Sequence, residues 1–171
     1  DTMQREGVTY LRVIDYKTGT KDFRLDDVWC GLNLQMLVYL FSLCGADGGP
    51  FAGAVPAGVL YLSADPPPPM VERQAAAAYE PTYAVDGLVL DDDMVVRAMD
   101  KEGAGAFIPV SRTTTGRLRK SQKLADLAKL GRIEQKIEEL VAQMAGGLYG
   151  GDIDAEPRVR LEHLRGVERL R

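Results

Sequence analysis

The sequence holds only two cysteines, one histidine and one tryptophan. Two cysteines and His163 cannot furnish a Cys/His zinc site within the chain. The longest nearly apolar run, around residues 34–44, is too short to span a bilayer. Residues 1–11 hold no apolar h-region, so no signal peptide is expected. No Gly-x-x-x-x-Gly-Lys-[Ser/Thr] loop occurs, so this sequence offers no nucleotide-binding loop of that kind. The chain opens on Asp1, not a natural start, and reads as a piece cut from a longer protein.

What is present is an ordinary globular composition. The 171 residues are 46% hydrophobic and 27% charged, enough for one domain or one domain with an extension. Cys30 and Cys44 both fall in a segment that reads as one helix over 28–44. Fourteen helical residues span ~21 Å, whereas a disulfide needs Cα atoms within ~7 Å. Free thiols follow, which suits a reducing cytoplasm.

The net charge of −4 hides an asymmetry. Residues 1–111 carry eight Lys and Arg against sixteen Asp and Glu, and residues 112–171 carry thirteen against nine. Arg112, Arg117, Arg119, Lys120, Lys123, Lys129, Arg132 and Lys136 form either a phosphate-facing strip or a solvated helix face.

Val8–Asp15 reads as a strand with Thr9, Leu11, Val13 and Asp15 on one face. The helix over 28–44 is apolar nearly all round, so it should be buried on more than one side. Pro56–Ala64 reads as a buried strand, and strand, helix and strand together suggest a right-handed βαβ unit. Asp65–Pro69 (DPPPP) ends that portion. Val71–Tyr79 reads as helix, Val85–Leu90 as a short apolar segment, and Met94–Met99 as a helix capped by Asp91–Asp93. Phe107–Val110 reads as a short strand and Arg112–Lys120 as a polar loop or hairpin. Apolar residues at helical spacing predict an amphipathic helix over 122–145, with Gly131 as a weak spot and Gly146-Gly147 as its stop. Its stripe offers a partner-sized apolar face if nothing covers it.

The candidate chemistry lies where the first strand ends. Asp15 and Lys17 are two apart and share a strand face, so a carboxylate and an ammonium project together just before Thr18-Gly19. Such a pair suits phosphodiester hydrolysis, the carboxylate holding Mg²⁺ and the lysine orienting water or meeting charge on the phosphate. It also suits a plain surface ion pair. Gln35 and Tyr39, four apart on an otherwise apolar helix, share a face. Read as buried, each needs a hydrogen-bond partner, which either a cleft shared with Asp15 or a structural core network would supply.

The ordered set Ile14-Asp15-Tyr16-Lys17-Thr18-Gly19, Gly31-Leu32-Asn33-Leu34-Gln35-Met36-Leu37-Val38-Tyr39-Leu40 and Pro56-Ala57-Gly58-Val59-Leu60-Tyr61 resembles the AddB/RexB family. Asp86–Leu90, Val95–Asp100 and Phe107–Val110 extend the likeness, which runs from about residue 8 to 157. Members are B subunits of a bacterial helicase–deoxyribonuclease and carry a RecB-like PD-(D/E)xK nuclease domain. The resemblance implies an α/β, restriction-endonuclease-like core, truncated here, with a βαβ unit and a C-terminal helical extension. On that reading residues 1–66 are the core, 67–157 a family-specific helical extension, and 158–171 a basic, loosely ordered tail.

The resemblance also implies roles. Asp15 matches the second metal-binding acid and Lys17 the catalytic lysine, with the Tyr16 main-chain carbonyl a further ligand to Mg²⁺ or Mn²⁺. Gln35 and Tyr39 match the Gln-x-x-x-Tyr helix motif beside the active site and the DNA strand. From the charge pattern, not from the resemblance, Arg117, Arg119 and Lys120 are candidate DNA phosphate contacts. The implied partners are single strands at processed DNA ends and an AddA-like helicase subunit, in the bacterial cytoplasm. The family's first catalytic aspartate is expected just upstream of Asp1, so this chain alone should be weak or inactive. The family's 4Fe-4S cluster needs three cysteines after the core, where this chain reads Arg158-Val159-Arg160-Leu161. Two other readings compete: an architectural subunit that binds a helicase and channels DNA, and an unrelated α/β binding module with no acidic cleft at Asp15.

Overall fold

A computed structural model describes residues 1–19, 21–63, 84–101, 105 and 107–151. Nine elements follow one another: β1 (Thr2–Arg5), β2 (Val8–Lys17), α1 (Leu25–Trp29), α2 (Gln35–Gly45), β3 (Val55–Ser63), β4 (Val85–Leu90), α3 (Asp93–Met99), β5 (Leu124–Ala125) and α4 (Leu127–Tyr149). The strands form one mixed sheet in the order β1-β2-β3-β4-β5. β1 and β2 form an antiparallel hairpin, β2 and β3 run parallel, β3 and β4 antiparallel, β4 and β5 parallel. Parallel neighbours need a crossover, and α1 and α2 supply it. The βαβ unit expected from sequence is therefore present.

Alternation along the strands sorts side chains onto two faces. Leu11, Val59, Tyr61, Leu88 and Leu90 join Val28 of α1, Leu37 and Leu40 of α2, and Leu130, Ile133 and Ile137 of α4 in the larger core. Leu60 and Val89 point the other way, into a smaller core with Val96, Ile108, Val110 and Leu124. Residues 84–151 thus add two strands to the same sheet besides α3 and α4.

The expected single helix over 28–44 is broken in two. Gly31 (φ +81°) and Asn33 (φ +56°) sit in left-handed backbone, which a continuing helix cannot hold. Asn33 Nδ2 donates to Asp27 Oδ2 at 2.9 Å and pins the break. Cys30 is therefore the C-cap of α1 and Cys44 lies in α2. The one-helix spacing does not apply, yet both cysteines are free.

At α3, Asp92 accepts from the Met94 and Val95 amides, so the acidic run caps as expected. Phe107–Val110 is not a strand; Ile108 and Val110 instead plug the smaller core from an irregular segment. Leu124-Ala125 pairs with β4, so the long helix starts only at Leu127, capped by Asp126. It then runs through Gly131 and through Gly146-Gly147 to Tyr149. Of its apolar stripe, Leu130, Ile133 and Ile137 are covered, whereas Val141, Met144 and Leu148 stay exposed. The expected helix at 71–79 and the tail at 158–171 lie outside the described residues. Among the described residues no helix is long and apolar enough to cross a membrane.

β3 and β4 approach unusually closely at two glycines. A Cβ on Gly58 (φ +146°) would stand 2.4 Å from the Leu88 carbonyl oxygen, and one on Gly87 (φ +151°) 2.0 Å from that of Val59. Both contacts are with backbone, which cannot step aside. Gly87→Ala should therefore destabilise the chain by about 3 kcal/mol, read as a lowered thermal midpoint, whereas Gly131→Ala, with open space around it, should not.

The two thiols should also separate. Burial pushes the Cys44 thiol up, and the nearby Glu134 charge adds to it, so less of it is thiolate at neutral pH. Cys30 is only half-buried. Maleimide at pH 8 should label Cys30 first, and the Cys30→Ala variant should be nearly unreactive until the fold opens.

Candidate active site

β2 carries its only acid near its C-terminal end because the strand leaves the covered part of the sheet there. Leu11 is buried, whereas Asp15 and Lys17 are partly open to solvent. Both project from the same face as Leu11 and Val13, the face covered by α2 further back. Lys17 Nζ lies 2.5 Å from Asp15 Oδ2. It also sits 5.9 Å from the centre of the Tyr61 ring, a cation–π distance. The carboxylate and the ammonium expected to act together are thus in direct contact.

Across the sheet the register forms a row. Asp15 pairs with Tyr61 of β3, and Tyr61 pairs on its other side with Asp86 of β4. Tyr61 is buried, and burial raises the pKa of its phenol, with the Asp15 charge raising it further. The Phe23 ring stands 6.3 Å from the Tyr61 ring and closes the wall.

A second carboxylate–ammonium pair ends the row. Lys123 Nζ lies 2.6 Å from Asp86 Oδ1 and 2.7 Å from Oδ2. Asp86 Oδ2 also accepts from the Phe23 amide at 2.7 Å, and Oδ1 from the Gly87 amide at 2.8 Å. Lys123 Nζ donates to the Phe23 carbonyl at 2.6 Å. Asp86, Phe23 and Tyr61 were given no site role from sequence, and Lys123 was expected only as a member of the basic strip. One signal was available: an aspartate inside the apolar strand VDGLVL demands a partner.

Gln35 and Tyr39 are not buried as expected. Tyr39 is 49% exposed and Gln35 is exposed too. They lie on the solvent side of α2, whose opposite side takes Met36, Leu37 and Leu40 into the core. The helix is apolar nearly all round, as expected, but it is covered on one side only, leaving Gln35, Tyr39, Ser42 and Leu43 exposed. The two side chains do meet, Gln35 Nε2 donating to the Tyr39 hydroxyl at 3.0 Å. α2 begins at the sheet end where β2 finishes, the usual end for sites in α/β folds. No direct contact joins this pair to Asp15 or Lys17 among the described residues.

Four cations of the basic strip have partners within the fold. Arg112 pairs with Asp93 and donates to the Gly116 carbonyl. Lys123 is taken by Asp86, Lys129 donates to the Leu124 carbonyl, and Lys136 pairs with Glu139. Arg117, Arg119 and Lys120 are exposed on a turn closed by the Arg112–Leu118 bridge. Leu118 packs that turn against the smaller core, the face opposite α2 and Asp15. No hydrogen bond or ion pair joins those three cations to Asp15 or Lys17 among the described residues.

Among the described residues no three His, Cys, Asp or Glu side chains converge as a metal cage. Asp15 offers one carboxylate. Its oxygen chemistry suits Mg²⁺ or Mn²⁺, which bind through one or two carboxylates plus water and phosphate oxygens.

Comparison with known proteins agrees with this geometry. The family model of the PD-(D/E)XK nuclease superfamily matches residues 1–160. Relatives named as B subunits of an ATP-dependent helicase/deoxyribonuclease are similar over 92% of the chain: 31% identical in Acetivibrio thermocellus, and 32% in both Desulforudis audaxviator and Clostridium perfringens. The chain spans 14% of the length of each. With an α/β fold, a mixed five-stranded sheet and an Asp-x-Lys strand end, the chain belongs to the PD-(D/E)XK nuclease superfamily.

Proposed function

We propose that this chain carries part of the active site of a metal-dependent deoxyribonuclease, within a helicase–nuclease subunit that processes double-strand breaks. The observation that carries the reading is the Asp15–Lys17 contact at the open end of β2. Asp15 would hold Mg²⁺ or Mn²⁺, with the Tyr16 carbonyl as a further ligand. Bound there, the ion would polarise the phosphodiester and favour ionisation of water. Lys17 is the group within reach to orient the attacking water and to meet negative charge growing on the phosphate. Gln35 and Tyr39, exposed and joined at the near end of α2, would present a donor and a phenol ring to the DNA strand. An AddA-like helicase would feed single strands to this site.

The hairpin register supports a second acid from outside this chain. Thr2 faces Leu11, and Arg12 N donates to the Asp1 carbonyl. In a longer chain, β1 continued backwards at that register runs along Val13, Ile14 and Asp15. The third residue before Asp1 then stands opposite Asp15, on its face. A carboxylate there would complete the pair that Asp15 lacks. The 171-residue chain is accordingly proposed to bind metal weakly and to cleave poorly.

A second reading rests on Arg117, Arg119 and Lys120, exposed and without an ion pair among the described residues. On it, the domain channels DNA without cutting, with these cations on phosphates.

Two experiments separate the readings. A chain lengthened upstream through the preceding strand and helix should degrade end-labelled single-stranded DNA only with Mg²⁺ or Mn²⁺. Lys17→Ala should lower that rate by about 10²-fold or more, and a well-folded lengthened chain without cleavage would reject the nuclease reading. Neutralising Arg117, Arg119 and Lys120 together should reduce the salt slope of DNA binding by about 2–3 if they touch phosphates. An unchanged slope would remove them from the interface.

A further inference from the structure

We infer that Asp86 and Lys123 form a two-point main-chain clamp on Phe23 that positions Lys17, an inference that rests on the nuclease reading above. The pair holds both hydrogen-bonding groups of one residue. Asp86 takes the Phe23 N–H at 2.7 Å and Lys123 gives to its C=O at 2.6 Å. The two groups lie in the peptides on either side of the Phe23 Cα, so the pair restrains the backbone on both sides of the residue. Phe23 lies six residues beyond Lys17, so the clamp fixes where the chain goes after it leaves β2.

The grip passes to the site through rings. Phe23 is 2% exposed and stands against Tyr61, whose ring in turn lies under the Lys17 ammonium. Lys123 Nζ is itself 5.9 Å from the Phe23 ring centre. Tyr61 is shared by register between Asp15 and Asp86. Each carboxylate–lysine pair therefore bears on one side of the same aromatic wall.

Asp86 is suited to holding and not to chemistry. Its oxygens already accept from Lys123, the Phe23 amide and the Gly87 amide. Asp15 has Lys17 as its ion-pair partner and lone pairs to spare. Asp86 and Lys123 are thus positioning residues.

The polarity of the clamp supplies a test that a simple salt bridge would fail to meet. Exchanging the pair, Asp86→Lys with Lys123→Asp, keeps one positive and one negative charge in contact. It would however set an ammonium against the Phe23 N–H and a carboxylate against its C=O. The variants to compare in the full-length protein are Lys123→Met, Lys123→Arg and the exchanged pair. The readouts are hydrogen exchange at the Phe23 amide and kcat and KM for metal-dependent DNA cleavage.

Lys123→Met should speed exchange at Phe23 and lower kcat about tenfold with KM unchanged, and Lys123→Arg should recover most of both. The exchanged pair should recover neither. Wild-type exchange and kcat in Lys123→Met, or full recovery in the exchanged pair, would overturn the clamp. If the exchanged protein does not fold, the Met and Arg variants decide alone. Faster exchange at Phe23 with kcat unchanged would overturn the link to Lys17. Absence of cleavage in the wild type would defeat the nuclease reading instead, with the exchange rates still judging the grip on Phe23.

Discussion

β3 is hydrogen-bonded along both edges and covered on both faces, and the rest of the fold is arranged by that. Its parallel neighbour β2 and its antiparallel neighbour β4 are both registered on it. From Ala57 to Tyr61 every residue of β3 is buried. A strand in that position cannot slip by one residue without turning Val59 and Tyr61 out of one core and Leu60 out of the other. The close approaches at Gly58 and Gly87 lock the register further, since only a residue without Cβ fits either place. The alignment of Asp15, Tyr61 and Asp86 is a consequence of this locked register and not a separate feature.

Two carboxylate–lysine pairs on one sheet face invite the question of which does chemistry. Removing charge from water is expensive, and a pair is tolerated only where hydrogen bonds replace the lost solvent. The Asp86–Lys123 pair, with side chains 19% and 28% exposed, has those bonds. The Asp15–Lys17 pair, at 27% and 37%, is somewhat more open and has no such hydrogen bonds beside it among the described residues. A pair held by its mutual contact alone adds little to stability, about 0–1 kcal/mol where solvated, so its members are free to exchange partners for a phosphate or a metal ion. The saturated pair is not.

The elements legible in the sequence were those governed by local pattern. Period-two alternation over Val8–Asp15, the apolar run of β3 and the acids before Met94 all predicted elements that the structure contains. The shared face of Asp15 and Lys17 followed from the same period. The failures were positions where tertiary structure overrode the pattern. Gly31 and Asn33 looked tolerable in an apolar helix, yet their left-handed backbone splits it. Gly146-Gly147 looked like a stop, yet the helix passes through, the preference of glycine for a C-terminus being a tendency only. Pairings across the fold were not legible either: Arg112 and Lys123 found partners distant in sequence. Asp86 and Lys123, thirty-seven residues apart, could meet only through the sheet.

The outer edge of β2 is only partly paired. β1 pairs with only Val8–Leu11, and beyond Arg12 that edge meets no strand among the described residues. An edge of unpaired amides and carbonyls is a template for another strand. Here that edge borders Asp15, the carboxylate proposed to hold the metal. A strand extending β1 would satisfy the backbone groups of Val13–Lys17 and set its own side chains beside Asp15 in one movement. Backbone pairing and site completion would then be the same event, and the affinity of Asp15 for a cation would depend on how firmly that strand is zipped. On the proposed reading, Tyr61 and its neighbours would hold Asp15 and Lys17 from the β3 side, and a strand continuing β1 would approach them from the other.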